Sequence, residues 1–190
     1  MDLIRGSIGL VFALLCPVAF ADVWGLPQLM AGLAEVRESR ARFTEEKQVS
    51  LLTAPLRMSG TLRYVRPDQL EKSVTHPYVE SLRIHGDRVE WQRQQRTRTL
   101  SLRSQPQILA LVDSIRATLA GDLAALNLHY RVKFDGERSQ WKITLEPRDD
   151  SLAQSIALIH LQGSAQQLRR VEIIEANSDR SVMTIQEMRD

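Results

Sequence analysis

Between Ala41 and Leu102 the sequence alternates apolar and polar residues in short runs parted by turn residues, and this period of two constrains the fold more than any other feature. ARFTEEKQVSLL, GTLRYV and QLEKSVTH read as strands. VESLRIHGDRVEWQRQQRTRTLSL continues the pattern through a turn at His85-Gly86-Asp87 and a second, poorly marked one near Gln94-Gln95. Connections this short join antiparallel neighbours, because parallel strands need crossovers of about a dozen residues or more. The stretch is therefore a meander.

Two helical segments interrupt the alternation. Pro27 sits where a first turn begins, and Leu26, Leu29, Met30, Leu33 and Val36 follow at helical spacing, predicting an amphipathic helix over about residues 26–38. Ile108, Leu111, Val112, Ile115 and Leu119 mark a second helix from Gln105 to about Leu119; Gly121-Asp122 ends it, and LAALNL adds a further turn. Strands resume with HYRVKF, a turn at Asp135-Gly136-Glu137, and WKITLEP, and after the loop PRDDS come SIALIHL, LRRVEIIEA and SVMTIQEM. The order helix, sheet, helix, sheet predicts an α+β fold: a curved antiparallel sheet of about nine to eleven strands with helices on one side. Such a sheet can enclose an apolar cavity. No long linker, low-complexity run or repeat divides residues 22–190, which read as one domain.

The first 21 residues carry an address. Arg5 precedes the apolar run IGLVFALLCPVAF, and the small residues of Ala19-Phe20-Ala21 form a cleavage site, so this is a secretory signal peptide cut after Ala21. The run is too short for a membrane anchor, which needs about 20 apolar residues. The only cysteine, Cys16, lies within the signal behind the bulky Leu15, which argues against lipidation. A mature chain without a thiol excludes cysteine catalysis and cysteine-based metal sites. Losing Arg5 and Asp2 with the leader keeps the net charge at +2, which gives no reason for a nucleic-acid partner.

The sequence carries no recognisable catalytic pattern. His76, His85, His129 and His160 are scattered without metal-ligand spacing, and there is no G-x-S-x-G elbow, phosphate-cradling glycine loop or H-E-x-x-H. Glu45-Glu46 and Asp149-Asp150 are adjacent pairs, which in a strand point to opposite faces and suit no acid–base dyad. No cofactor or metal is expected from these residues.

The order of the pieces resembles a known family. An N-terminal helix leads to Ala41, Phe43 and Lys47, then Gly60, Leu62, Arg66 and Pro67, then Leu70 and the Gly86-Asp87 turn; a mid-chain helical insertion and a Trp-bearing strand ending in Pro (Trp141 to Pro147) follow. This is similar to the periplasmic lipoprotein carriers of the LolA type. The resemblance implies a half-open antiparallel β-barrel with helices as a lid over an apolar cavity. It implies a monomer that ferries acyl chains of lipoproteins through the periplasm of a Gram-negative bacterium, from an inner-membrane donor to an outer-membrane acceptor. It also implies that Arg66 bonds lid backbone carbonyls and latches the cavity shut. A guanidinium has five donors and stays charged, so it suits that task; the plainer reading makes Arg66 a solvated residue beside a turn. The chain departs from the family in carrying Lys72 where an aromatic is typical and in ending soon after IQEM. These departures point to a divergent branch with another lipid-like cargo.

Alternation then nominates the site. If Phe43 faces the cavity, so do Glu45, Lys47, Leu62, Tyr64, Arg66, Leu70, Lys72 and Val74, with Ile108, Leu111 and Ile115 from the lid helix. Charges in such a place must be paired, so Glu45 is expected to meet Lys72 or Lys47, and Lys72 to meet an anionic head group. A bulge in the first strand instead leaves these charges in solvent. Arg83, Arg88, Arg93, Arg96, Arg98 and Arg103 with Trp91 form the densest basic stretch, either a surface for anionic lipid or the solvated face of an edge strand. The leading function is a lipid carrier; the alternative is a non-transporting sensor or accessory subunit of an envelope complex.

Overall fold

The computed structural model describes residues 24–188 other than Gln95; the signal peptide, its cleavage site and Cys16 lie outside the described residues. Helix α1 (Leu26–Ala34) starts where Gly25 donates its backbone N–H to the Gln28 side chain at 3.0 Å. The chain then forms β1 (Glu38–Gln48), β2 (Leu56–Val65), β3 (Gln69–His76), β4 (Glu80–His85), β5 (Arg88–Arg93) and β6 (Arg96–Ser101). After a 3-10 turn at Leu102–Ser104 come α2 (Pro106–Ala120) and α3 (Leu123–His129). The second meander holds β7 (Tyr130–Glu137), β8 (Gln140–Pro147), α4 (Asp150–Ala153), β9 (Ile156–Ser164), β10 (Gln167–Glu175) and β11 (Arg180–Glu187).

All eleven strands form one antiparallel sheet in the order β6-β5-β4-β3-β2-β1-β11-β10-β9-β8-β7. It is an open sheet, since β6 and β7 occupy opposite edges. The first strand sits in the middle, the first meander runs outward to one edge, α2 and α3 carry the chain to the other edge, and the second meander returns to β1. Each connection outside that crossover is short, as the period-two reading requires.

The helices cover one face, here called inner. Over the second meander they pack solidly: Leu29, Met30 and Leu33 of α1 and Leu126 of α3 join Trp141, Ile143, Leu145, Ile159 and Leu161 in one cluster. Each such side chain contributes about 1.5–3 kcal/mol on burial. Trp141 donates its indole N–H to the Ala165 carbonyl at 2.9 Å, so its burial strands no polar group. Over the first meander, α2 contributes Leu109 and Val112 to a smaller cluster with Leu102, Ile84 and Val89.

Several boundaries differ from the sequence reading. The first helix stops at Ala34, not near residue 38, because the Arg37 carbonyl accepts from Arg66 N at 2.8 Å and Glu38 already pairs with Val65. The first strand leaves the sheet at Gln48, because the Ser50 N–H is taken by the Asp179 carboxylate at 2.8 Å; Leu51 and Leu52 lie exposed in the loop. Asp135-Gly136-Glu137 is strand, and the reversal falls at Arg138-Ser139. Gly136 has φ 100°, and a Cβ there would lie 2.3 Å from the Gln140 carbonyl oxygen, so the glycine serves a close backbone approach rather than a turn. Part of the PRDDS loop is α4, capped by the Asp149 carboxylate accepting from Leu152 N at 2.8 Å. Four α-helices therefore replace the two expected.

Candidate functional site

Directly paired residues of an antiparallel sheet share a face. Starting from buried Phe43, the register puts Ala41, Glu45 and Lys47 of β1 on the inner face with Leu62 and Tyr64 of β2, and then Leu70, Lys72 and Val74 of β3. The pairing of β1 runs without a shift against both β2 and β11, so no bulge turns these charges outward.

A cavity of about 290 Å³ lies between this face and α2. Its roof is Leu111, Val112, Ile115 and Leu119; Leu33 and Val36 contribute from the end of α1. Its floor crosses the middle of the sheet, from Leu82 and Ile84 through Leu70, Leu62 and Ala41 to Ile185, Met183, Val171 and Ile173. Of the residues nominated from sequence, Leu62, Tyr64, Leu70, Lys72, Leu111 and Ile115 line it, and Glu45 and Lys47 do not. Phe43 and Val74 are buried on the same face but outside the lining. Ile108 is 47% exposed and does not line it, because the first turn of α2 is seated through Leu109 against Leu102.

The charged group forms one connected arrangement. Lys72 donates to Glu45 Oε2, and Ser181 Oγ donates to Glu45 Oε1 at 2.6 Å. The Lys72 ammonium also lies 5.1 Å from the centroid of the Phe43 ring. Lys47 does not join this pair; it reaches Glu175 at 3.0 Å. Tyr64, 2% exposed, has a hydroxyl with no hydrogen-bond partner among the described residues, and burial raises its pKa above the ordinary phenol value.

Arg66 does not make the contact expected of a latch. It is exposed in the turn between β2 and β3, and among the described residues its side chain makes no hydrogen bond to a lid carbonyl. Only its backbone N–H is engaged, by Arg37. The arginine that ties lid to sheet is Arg116, which projects from α2 and donates to the Gly86 carbonyl in the β4–β5 turn at 2.5 Å. The same turn holds the approach to α2: Asp87 accepts from Ser101 Oγ at 2.5 Å and Arg103 N at 2.9 Å, and its backbone carbonyl from Leu102 N at 2.8 Å. The bonds from Ser101 and Arg103 hold the Asp87 carboxyl below its usual pKa. Arg116 was missed in the sequence, although an arginine one and two turns beyond Val112 and Leu109 in an otherwise apolar stripe is the signal that finds it.

The basic stretch is largely engaged within the sheet. Arg83 reaches Glu71 at 3.5 Å and Glu90 at 3.3 Å, Arg93 reaches Glu80 at 3.8 Å, and Arg103 reaches Asp87 at 3.9 Å. Arg98 lies 5.8 Å from the Trp91 ring centroid. Among the described residues no group of three or more His, Cys, Asp and Glu is placed to hold a metal ion.

Compared with known proteins, residues 19–185 match the family described as outer membrane lipoprotein carrier protein LolA-like. The chain belongs to the LolA-like family. Similar solved structures include the LolA superfamily protein of Nitrosomonas europaea, with 11% identity, TM-score 0.46, and coverage of 88% of this chain and 95% of that one. A putative outer membrane lipoprotein-sorting protein domain from Vibrio parahaemolyticus gives 10%, 0.43, 86% and 91% by the same measures. No curated protein matches the sequence. Membership in the LolA-like family places the cavity in a group named for carrying lipoproteins.

Proposed function

We propose that this protein is a non-catalytic periplasmic carrier that shields the acyl chains of a lipoprotein or another lipid-like cargo for transfer towards the outer membrane. The supporting observation is the apolar cavity between α2 and the inner face in a chain of the LolA-like family. Apolar walls supply affinity without directional chemistry, at about 0.8 kcal/mol per methylene buried. A signal peptide cut after Ala21 would deliver the chain to the periplasm, between an inner-membrane donor and an outer-membrane acceptor.

The test is to purify the mature protein from a bacterial periplasm, extract it with organic solvent and analyse the extract by mass spectrometry. Stoichiometric lipid supports the carrier. Lipid-free protein that co-purifies with a membrane complex favours an accessory or sensor subunit built on the same fold.

A further inference from the structure

We propose that the cavity is built for a single acyl chain ending in a carboxylate, with the carboxylate on Lys72 and the tail towards α1; this rests on the carrier reading. Capacity is the first argument. A volume of about 290 Å³ sits at the small end of ligand pockets, which run from about 300 to 1,000 Å³, and so matches one chain rather than the several of a multiply acylated lipoprotein.

Charge is the second. Lys72 lines the cavity with a side chain 26% exposed, whereas its counter-ion Glu45, at 9%, stands behind it and is not part of the lining. An ammonium has three donors, and Glu45 engages one, so a ligand carboxylate can share the cation. Two other cations reach the rim, Arg40 and Arg63, but both are held by Glu38. The inner face also grades along its strands. Beyond Lys72 it becomes ionic, with Lys47 on Glu175 and Arg93 on Glu80. In the other direction it offers Leu62, Leu70 and Leu33, with the carboxylate of Glu187 also in the lining beside Ala41, where it disfavours a second anion. An amphiphile fits that gradient in one orientation only.

The experiment compares palmitate with methyl palmitate, presented from cyclodextrin, by isothermal titration to the mature protein and to the double variant E45Q/K72M, which removes both charges so that neither is left buried alone. The wild type is expected to bind one palmitate per chain about tenfold or more tighter than the ester. The double variant is expected to bind the two alike, with the affinity for the ester retained. Equal affinity for acid and ester in the wild type, or a preference that survives in the variant, overturns the head-group assignment. Displacement of palmitate by a triacylated lipopeptide held at one per chain overturns the single-chain assignment. Binding of neither palmitate nor its ester overturns the carrier reading together with this inference.

Discussion

Glu45 and Lys72 are best understood as a unit. Each alone is an ionised group on a largely apolar face, and each is tolerated because the other is there. Lys72→Ala is expected to leave Glu45 with Ser181 as its only hydrogen-bond partner among the described residues and to cost about 1–3 kcal/mol in urea unfolding, while E45Q/K72M recovers most of that loss. On the outer face His160 contacts Thr144 Oγ1 at 3.1 Å through Nδ1. Burial, followed by the charge of Lys142, holds it below the ordinary imidazole value of 6.5. The unfolded chain therefore binds the proton more readily, so this contribution to stability is complete above pH 6.5 and is lost as pH falls through the lowered folded value. Thermal unfolding is expected at higher temperature at pH 7 than at pH 5, with the difference smaller in His160→Gln. At this scale ARFTEEK was legible: strict alternation put Glu45 and Lys72 on the face of Phe43, and the register agrees. Arg66 was not, because a proline turn fixes where a residue leaves the sheet but says nothing of what its side chain meets.

Among the elements, α2 is held in a way that its sequence only half discloses. Its apolar stripe was readable from spacing, and Gly121, with φ 69°, closes it as expected. A Cβ at Gly121 would lie 2.1 Å from the Met30 carbonyl oxygen, so the same residue sets how closely α1 approaches. The long-range tie, Arg116 to Gly86, was not readable, since helical spacing cannot report a partner thirty residues away on a turn. Arg116→Ala is expected to loosen α2 without unfolding the sheet: hydrogen exchange of α2 amides should quicken, while those of β8 and β9 stay slow. Equal acceleration in all three elements would show that Arg116 supports the whole fold rather than the lid. The hairpin turns show the other limit. Gly86-Asp87 was found because its residues suit a reversal, whereas Gly136 carries the same signal inside a strand.

The whole molecule follows from where β1 lies. Its pairings with β2 come from the segment that follows it directly, but those with β11 span almost the entire chain, from Ala41 with Glu187 to Gln48 with Arg180. Periodicity reported the strands and their short connections; it could not report that the last strand returns to the first, because strand order depends on pairing between distant segments. A variant ending before Arg180 is expected to expose the open edge of β1, to lose the wall that Met183 and Ile185 give the cavity, and to self-associate, as judged by size-exclusion chromatography.

That closure has a consequence in time. Of the two neighbours of β1, β2 follows it directly and β11 comes after every other strand of the sheet, so the middle of the sheet stays unzipped until β11 is available. Pairings this distant are slow to form. The cavity, walled in part by Met183 and Ile185 of β11, is thus completed late in folding.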